Sequence, residues 1–359
     1  MAIKTHRPQR LPVQLDADAF SKELGEAHYA IGLLEGSQRG LANPDLLISP
    51  LTAKEAEISS KIEGTQSTAS DVFVYEAGGQ PRYSDTIEVA NYRKAMIVAM
   101  EMVKDGRSIT AHFIKTLHHV LLSGARHKGK IGEFRSGPVW IAARPGDPIE
   151  KAIYIPPEAI SVSEHMENLL EYMGLAQEDY LIQSGVLHYQ FEAIHPFEDG
   201  NGRIGRLLVP LLLYQRKRIS SPIIYLSGFF EAHRDEYVGT LHGVDETGKM
   251  EPWLKFFFRA ITAQAKETQD LIAAIHALHD KIEKGFGSIK SPYAIPLIDF
   301  LFKSPVFTIP MAMRELKATR VTCGRLLDQL LKDGVVVDLK KRDKHAKLYS
   351  FAKLLNLLR

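Results

Sequence analysis

The run His195-Pro196-Phe197-Glu198-Asp199-Gly200-Asn201-Gly202-Arg203-Ile204-Gly205-Arg206 decides how the rest of the chain is read. It opens into 207–214, which is apolar on every side and contains Pro210. A helix without a polar face belongs at the centre of a helical bundle. Pro210 denies the Arg206 carbonyl its usual partner, so a kink or local adjustment is expected there. Gly200 and Gly202 let the backbone turn so that successive N–H groups point into one concavity, and the helix beginning near Gly202 adds its positive dipole end. A phosphate group is the expected guest.

The polar residues of the run fit the same reading. Arg203 and Arg206 lie three apart on one face and can fork onto one anion, whereas without an anion their mutual repulsion in apolar surroundings would be costly. Asp199 has no place beside a phosphate unless a cation intervenes, which makes it a candidate Mg²⁺ ligand. His195, at the end of the preceding helix, has the side-chain pKa suited to taking and returning a proton near neutrality. Phe197 is expected to anchor the loop from below. Singly, a histidine is more often structural, an arginine pair more often superficial and a Gly-Asn-Gly more often a plain turn. Four charged or titratable groups converging on one helix end are not explained that way.

Apolar residues recur at helical spacing over 86–102, 110–122, 161–173, 182–194 and 251–278, predicting helices that pack on one another. Between them, 129–157 mixes Phe134, Val139, Trp140, Ile141, Ile153, Tyr154 and Ile155 with Gly, Arg and Pro, the composition of a short hairpin or flap. Near the start, 19–35 reads as one helix beside an extended arm. Thr52 and Glu55 form a capping-box pattern, which predicts a helix over 53–63 that stops at Gly64. Glu63 then lies at the negative end of its own helix dipole, which costs a few tenths of a kcal/mol unless a cation compensates.

After a linker signalled by Gly285, Gly287, Ser288, Ser291 and Pro292, the C-terminal residues have a pattern of their own. Helices are expected over 309–318 and 321–333, and strands over 335–339 and around Leu348, Tyr349 and Phe351. The order resembles a winged helix. Thr319, Arg320, Thr322 and Arg325 on the second helix would suit phosphate contacts with DNA, as would Lys340, Lys341, Arg342, Lys344 and Lys347 in the wing. A protein-docking role or a merely solvated turn is the competing reading.

Composition excludes several classes. The 359 residues suffice for two or three domains, and 45 basic against 43 acidic residues give no global demand for nucleic acid. The single cysteine, Cys323, excludes an intrachain disulfide and a cysteine zinc cluster, and is expected to be buried. No run reaches the ~18 apolar residues of a membrane helix, so a cytoplasmic location without membrane contact is expected.

The run 195–206 reproduces without departure the signature His-x-Phe-x-(Asp or Glu)-Gly-Asn-Gly-Arg-x-x-Arg, and so the chain resembles the Fic domain proteins. Gly132, Glu133, Phe134, Arg135, Val139 and Trp140, with 154–157, resemble that family's target-docking flap. Ser59, Ser60, Lys61, Ile62, Glu63 and Gly64 resemble the motif of its inhibitory helix. The resemblance implies a mainly α fold: a Fic-type helical bundle with a short β-hairpin flap, an N-terminal helical arm and a C-terminal winged helix. Its bounds would be an arm over 1–85 with an inhibitory helix over 52–64, a catalytic domain over 86–284, a linker over 285–304 and the winged helix over 305–359.

The activity so implied is Mg²⁺-dependent transfer of AMP from ATP to Ser, Thr or Tyr hydroxyls of target proteins, with release of pyrophosphate. His195 would be the base and Asp199 the Mg²⁺ ligand. Gly200, Asn201 and Gly202 would steady the α and β phosphates, Arg203 the β phosphate and Arg206 the γ phosphate. Glu63 would restrain the enzyme by occupying Arg206. Targets would dock on the flap near 139–155, with self-modification and a homodimer as further expectations. Relatives with a similar site transfer phosphocholine or phosphate, or remove AMP, so direction stays open. A nucleotide-sensing transcriptional regulator that binds DNA through the winged helix is the alternative of a different class.

Overall fold

A computed structural model describes residues 5–39, 43, 45–127, 129–142, 144, 147–175, 178–286, 291–343 and 346–359. In chain order the elements are α1 (Ser21–Arg39), α2 (Asp45–Ile62), α3 (Ala69–Glu76), α4 (Thr86–Lys104), α5 (Ala111–Leu122), β1 (Ile141–Ala142), β2 (Ala152–Tyr154), α6 (Val162–Gly174), α7 (Tyr180–Ile194) and α8 (Asn201–Gln215). They continue as α9 (Ser227–Ala232), α10 (Arg234–Thr247), α11 (Glu251–Phe286), α12 (Ala294–Lys303), β3 (Val306–Phe307), α13 (Ile309–Leu316), α14 (Arg320–Lys332), β4 (Val337–Asp343), β5 (Ala346–Ser350) and α15 (Ala352–Leu357). The protein is mainly α. Its contacts divide it into one unit of residues 1–35 and 94–265, and another of 36–93 and 266–359.

The first unit is built on α7 and α8, which are buried on nearly every side and pack on each other, as the apolar run after 206 requires. Asp179 caps α7 by accepting from the Leu181 and Ile182 amides, and its other oxygen pairs with His28 of α1. Helix α8 runs unbroken through Pro210. The polar side chains that α7 buries are bonded: Gln183 donates to the Tyr172 and Leu175 carbonyls, and Ser184 to that of Tyr180. Upstream, an extended arm lies along the unit. The His6 amide donates to the Ile155 carbonyl, Asn168 clasps both backbone groups of Leu11, and Gln190 donates to the Gln9 carbonyl. The hairpin pairs Ile141 with Tyr154 in an antiparallel ladder.

In the second unit, α2 packs on α12 and α3, and an antiparallel sheet has the order β3-β5-β4. Buried Arg93 joins its parts, binding the Glu76 carboxylate at 2.5 and 2.7 Å and the Ser49 hydroxyl at 2.8 Å. Cys323 is buried, as expected.

Three expectations need correction here. Helix α2 begins well before Pro50, because Leu46 and Leu47 gain a buried place by extending the helix through the proline. The Thr52–Glu55 capping box therefore does not form: the Thr52 hydroxyl donates back to the Ser49 carbonyl, and Glu55 accepts from the Tyr92 hydroxyl. A working capping box occurs instead at Thr68 and Asp71, opening α3, which the sequence reading passed over. Part of the stretch expected as a linker is helix α12, whose Leu297, Ile298, Leu301 and Phe302 are buried. Gly287 and Ser288 lie outside the described residues, as do Lys344 and the side chains of Lys340, Lys341 and Arg342.

His188 of α7 is fully buried, bonded through Nε2 to the Tyr237 hydroxyl at 2.8 Å and stacked near Trp253. Burial depresses its pKa to about 3, so the folded protein keeps it neutral. An unfolded chain takes up a proton there below ~6.5, so this contribution to stability is complete above that pH and is lost as pH falls toward 3. Urea denaturation between pH 6.5 and 4.5 should show wild-type stability falling by up to ~1.4 kcal/mol per pH unit more steeply than that of His188→Gln. Parallel slopes would contradict the assignment.

Candidate functional site

Helix α7 ends on His195 in the left-handed conformation, φ 49° and ψ 61°, with its amide still bonded to the Phe191 carbonyl at 3.0 Å. A non-glycine residue there costs about 1–2 kcal/mol, so the surroundings must hold it. Arg135 does so. Its Nε donates to the His195 carbonyl at 2.8 Å, and Nη2 to the carbonyls of Ile194 at 3.3 Å and Pro157 at 2.5 Å. Nη1 reaches the Gly137 carbonyl at 3.2 Å, and the Arg135 amide donates to the Pro196 carbonyl at 2.9 Å. Burial pulls the Arg135 pKa down. The cation sits where the α7 dipole is negative and its last carbonyls lack intrahelical donors.

The loop after His195 is closed from within. The Asn201 amide brackets one residue: Oδ1 accepts from the Phe197 amide and Nδ2 donates to the Phe197 carbonyl, both at 2.8 Å. Phe197 is wholly buried and stacks flat on His118 at 3.8 Å, which bears out its expected place beneath the loop. Nε2 of His118 donates to the Asp199 carbonyl at 3.0 Å, while Nδ1 accepts from the Gly132 amide at 2.8 Å. Such a pair of bonds requires a neutral ring, and burial lowers the His118 pKa to about 4. Gly200 takes φ 77° and would bring a Cβ within 3.1 Å of Leu121. Gly202, expected to turn the chain as well, lies instead inside the first turn of α8. One left-handed residue is enough to enter the helix.

From that turn Arg203 and Arg206 extend into buried surroundings, with relative exposures of 3% and 4%. Arg203 reaches Asp199 at 3.3 Å, and the Asp199 side chain is 33% exposed. A Cβ on Gly205 would overlap the Glu192 carboxylate, so this glycine permits α7 and α8 to approach closely. His195, Asp199, Gly200, Asn201, Gly202, Arg203 and Arg206 thus share one loop and one helix start, whereas Glu63 lies in the other unit, exposed after the end of α2. Beside the loop, Tyr154 of the hairpin donates to the Ala193 carbonyl at 2.7 Å. Trp140, Ile141 and Ile153 are exposed on the hairpin.

A helix N-terminus entered through a left-handed glycine, with two buried guanidiniums and one accessible carboxylate, is equipped to hold a polyphosphate and a hard cation. Sequence reasoning passed over His118, and it met Arg135 only as part of a flap resemblance. The available signal for His118 was a histidine on the apolar stripe of α5, among Ile114, Leu117, Leu121 and Leu122. Nothing in the spacing pointed from there to residue 199.

Residues 21–101 match the model of the Fic/DOC family N-terminal region, and residues 108–213 that of the Fic/DOC family. The protein adenylyltransferase Fic of Culex quinquefasciatus is 30% identical over 129 residues, covering 35% of this chain and 22% of the relative. A probable protein adenylyltransferase of Aquifex aeolicus (strain VF5) is 32% identical over 68 residues, 19% of each chain. The chain spans between 18% and 34% of the length of the curated relatives it matches. The crystal structure of a Fic family protein from Desulfovibrio desulfuricans G20 shares the fold, with a TM-score of 0.62 and 21% identity, over 96% of this chain and 98% of that one.

The Asn201 bracket makes a test independent of any ligand. Asn201→Asp keeps the acceptor but sets a carboxylate oxygen against the Phe197 carbonyl in a buried place. Stability at pH 7 should fall by about 2–3 kcal/mol, read from the urea denaturation midpoint. An unchanged midpoint would show that the loop does not depend on this clasp.

Proposed function

The chain is a Fic-domain protein related to the Fic adenylyltransferases, and on that premise we propose that it transfers AMP from ATP to Ser, Thr or Tyr hydroxyls of protein targets. The observation that carries this reading is the start of α8, where Gly200 opens a helix whose first two turns bear buried Arg203 and Arg206 beside the accessible Asp199. Two guanidiniums at one helix start are suited to share the charge of a nucleotide polyphosphate, with forked donors that match phosphate oxygens.

In the proposed reaction His195 takes the proton of the target hydroxyl. The hydroxyl oxygen attacks the α phosphorus, the bond from that phosphorus to the oxygen bridging the β phosphate breaks, and pyrophosphate leaves with the electron pair. Arg203 holds the β phosphate and Arg206 the γ phosphate, while the backbone amides from Gly200 to Gly202 steady the α and β phosphates. The Asn201 side chain serves this nest from behind, by fixing the loop. Asp199 fits Mg²⁺, since this ion binds through one or two carboxylates together with substrate phosphates, and Mg²⁺ when bound offsets charge on the departing pyrophosphate.

The exposed Trp140, Ile141 and Ile153 support docking of an extended target segment along the hairpin, a mode that reads backbone more than side chain. Self-modification and homodimerisation belong to the same reading. Restraint by Glu63 rests on the motif from Ser59 to Gly64 and on the competition between a carboxylate and a γ phosphate for one guanidinium. The arrangement of α13, α14 and the sheet β3-β5-β4 supports a second reading, a winged helix that binds DNA, with Arg320 and Arg325 exposed on α14. Thr319 and Thr322, also expected to contact DNA, bond to each other at the start of that helix. Among the described residues no helix is long and apolar enough to cross a membrane.

Incubation with α-labelled ATP should place label on protein, and label arriving from the γ position instead would overturn the transfer of AMP. His195→Ala should abolish labelling while calorimetry still detects ATP binding. A variant retaining a tenth or more of the wild-type turnover would remove His195 from the role of base.

Glu63→Gly should raise the initial rate of labelling by ~10-fold or more, since a small misplacement of the phosphates costs about 100-fold. Arg206→Ala should stay inactive alone and in combination with it. Equal rates for Glu63→Gly and wild type would end the inhibitory assignment. For the second reading, a winged helix contacting phosphates gives a binding constant for its DNA site that falls steeply with salt. Unchanged mobility of a genomic fragment library at low salt would exclude it.

A further inference from the structure

His118 is buried, and its two ring nitrogens are bonded to the backbones of two separate loops. One is the segment leading to the hairpin, through the Gly132 amide; the other is the 195–206 run, through the Asp199 carbonyl. We infer that His118 is a positioning residue for the nucleotide, which orients the peptide between Asp199 and Gly200 and so aims both the Asp199 side chain and the Gly200 amide. The inference rests on the nucleotide-binding reading above.

A trans peptide is planar, and its carbonyl and amide point to opposite sides. With the Asp199 oxygen held by Nε2 of His118 at 3.0 Å, the Gly200 amide is turned away from the imidazole. If that carbonyl were released the whole plane could rotate, taking one donor of the anion nest out of register and moving the Cα from which the Asp199 carboxylate projects. The other restraints described for this loop act on other groups. Asn201 clasps Phe197, Arg135 holds residues 194–196, and Arg203 meets the carboxylate of Asp199 rather than its backbone. Gly200 has no side chain to resist rotation, and its left-handed φ of 77° leaves the conformation to be imposed from outside. The flat stack of His118 on Phe197 at 3.8 Å fixes the ring against the same loop.

Two amide substitutions separate this role from simple packing. Both lose the ring and its stack. In His118→Gln the terminal amide nitrogen falls near the position of Nε2 and can donate to the Asp199 carbonyl. In His118→Asn the shorter side chain offers an acceptor for the Gly132 amide but does not reach residue 199. Calorimetric titration of each full-length variant with Mg·ATP, alongside its melting temperature, is the test.

His118→Asn should bind Mg·ATP about tenfold more weakly than wild type, and His118→Gln within threefold of it, at similar melting temperatures. Equal affinities for the two variants, whether both weak or both like wild type, would overturn the positioning role. Should His118→Asn fail to fold, His118→Gln must still bind within threefold, and a larger loss would refute the inference. Wild-type protein without affinity for Mg·ATP would overturn the nucleotide reading itself, and this inference with it.

Discussion

A buried guanidinium holds this site together. Arg135 donates to the carbonyls of His195, Ile194, Pro157 and Gly137, which are backbone groups of the end of α7 and of both flanks of the hairpin. Each of these carbonyls would otherwise be left short of a partner near the end of a helix or in a loop, and burial would make that expensive. One side chain with five donors in a rigid fork meets the need, whereas a lysine would offer a point charge without the spread. The left-handed His195 follows from this arrangement. So does the path of the loop that brings Asp199 and Gly200 to the start of α8.

The local plan was legible because it is written in local patterns. The apolar run after 206 fixed α8 as a central helix, and the expected helix over 182–194 became α7, only two residues longer at its start. The loop chemistry was legible for the same reason: glycines, paired arginines and a carboxylate occur within twelve consecutive residues. What escaped was long-range. His118 and Asp199 are 81 residues apart, and Arg135 and His195 are 60 apart, so no periodicity relates them. The start of α2 escaped for a different reason, since burial of Leu46 and Leu47 outweighed the proline, and a local rule cannot weigh tertiary packing. Asn201 was visible, but its bonds within the loop were not. Its side-chain amide brackets the backbone of one residue, Phe197, with an acceptor for the N–H and a donor for the carbonyl, a match that no local pattern announces.

On the proposed reading, the site divides its labour between residues that would face a nucleotide and residues that hold backbone. Arg135, His118, Asn201 and Phe197 are all buried. Their bonds end on main-chain atoms or, for Phe197, on a stacked ring. Arg203, Arg206, Asp199 and His195 carry the charge and the titratable groups. A loop with such support would enter the proposed reaction already ordered, which is how electrostatic stabilisation avoids reorganisation at the moment of transfer.

The N-terminal arm carries a consequence for how the chain is made. Leu11 is bonded to Asn168, Gln9 to Gln190 and Gly248, and the Asp16 amide to Glu251, over separations of 157, 181, 239 and 235 residues. During synthesis at ~5–20 residues per second, these arm residues leave the ribosome tens of seconds before the last of their partners exists. The helical hairpin of α7 and α8, by contrast, closes across a loop of six residues, 195–200, and needs nothing distant to begin. The loop proposed to hold the nucleotide therefore belongs to the part of the unit that can form soonest, while the arm, translated well before its partners, is among the last segments to be seated.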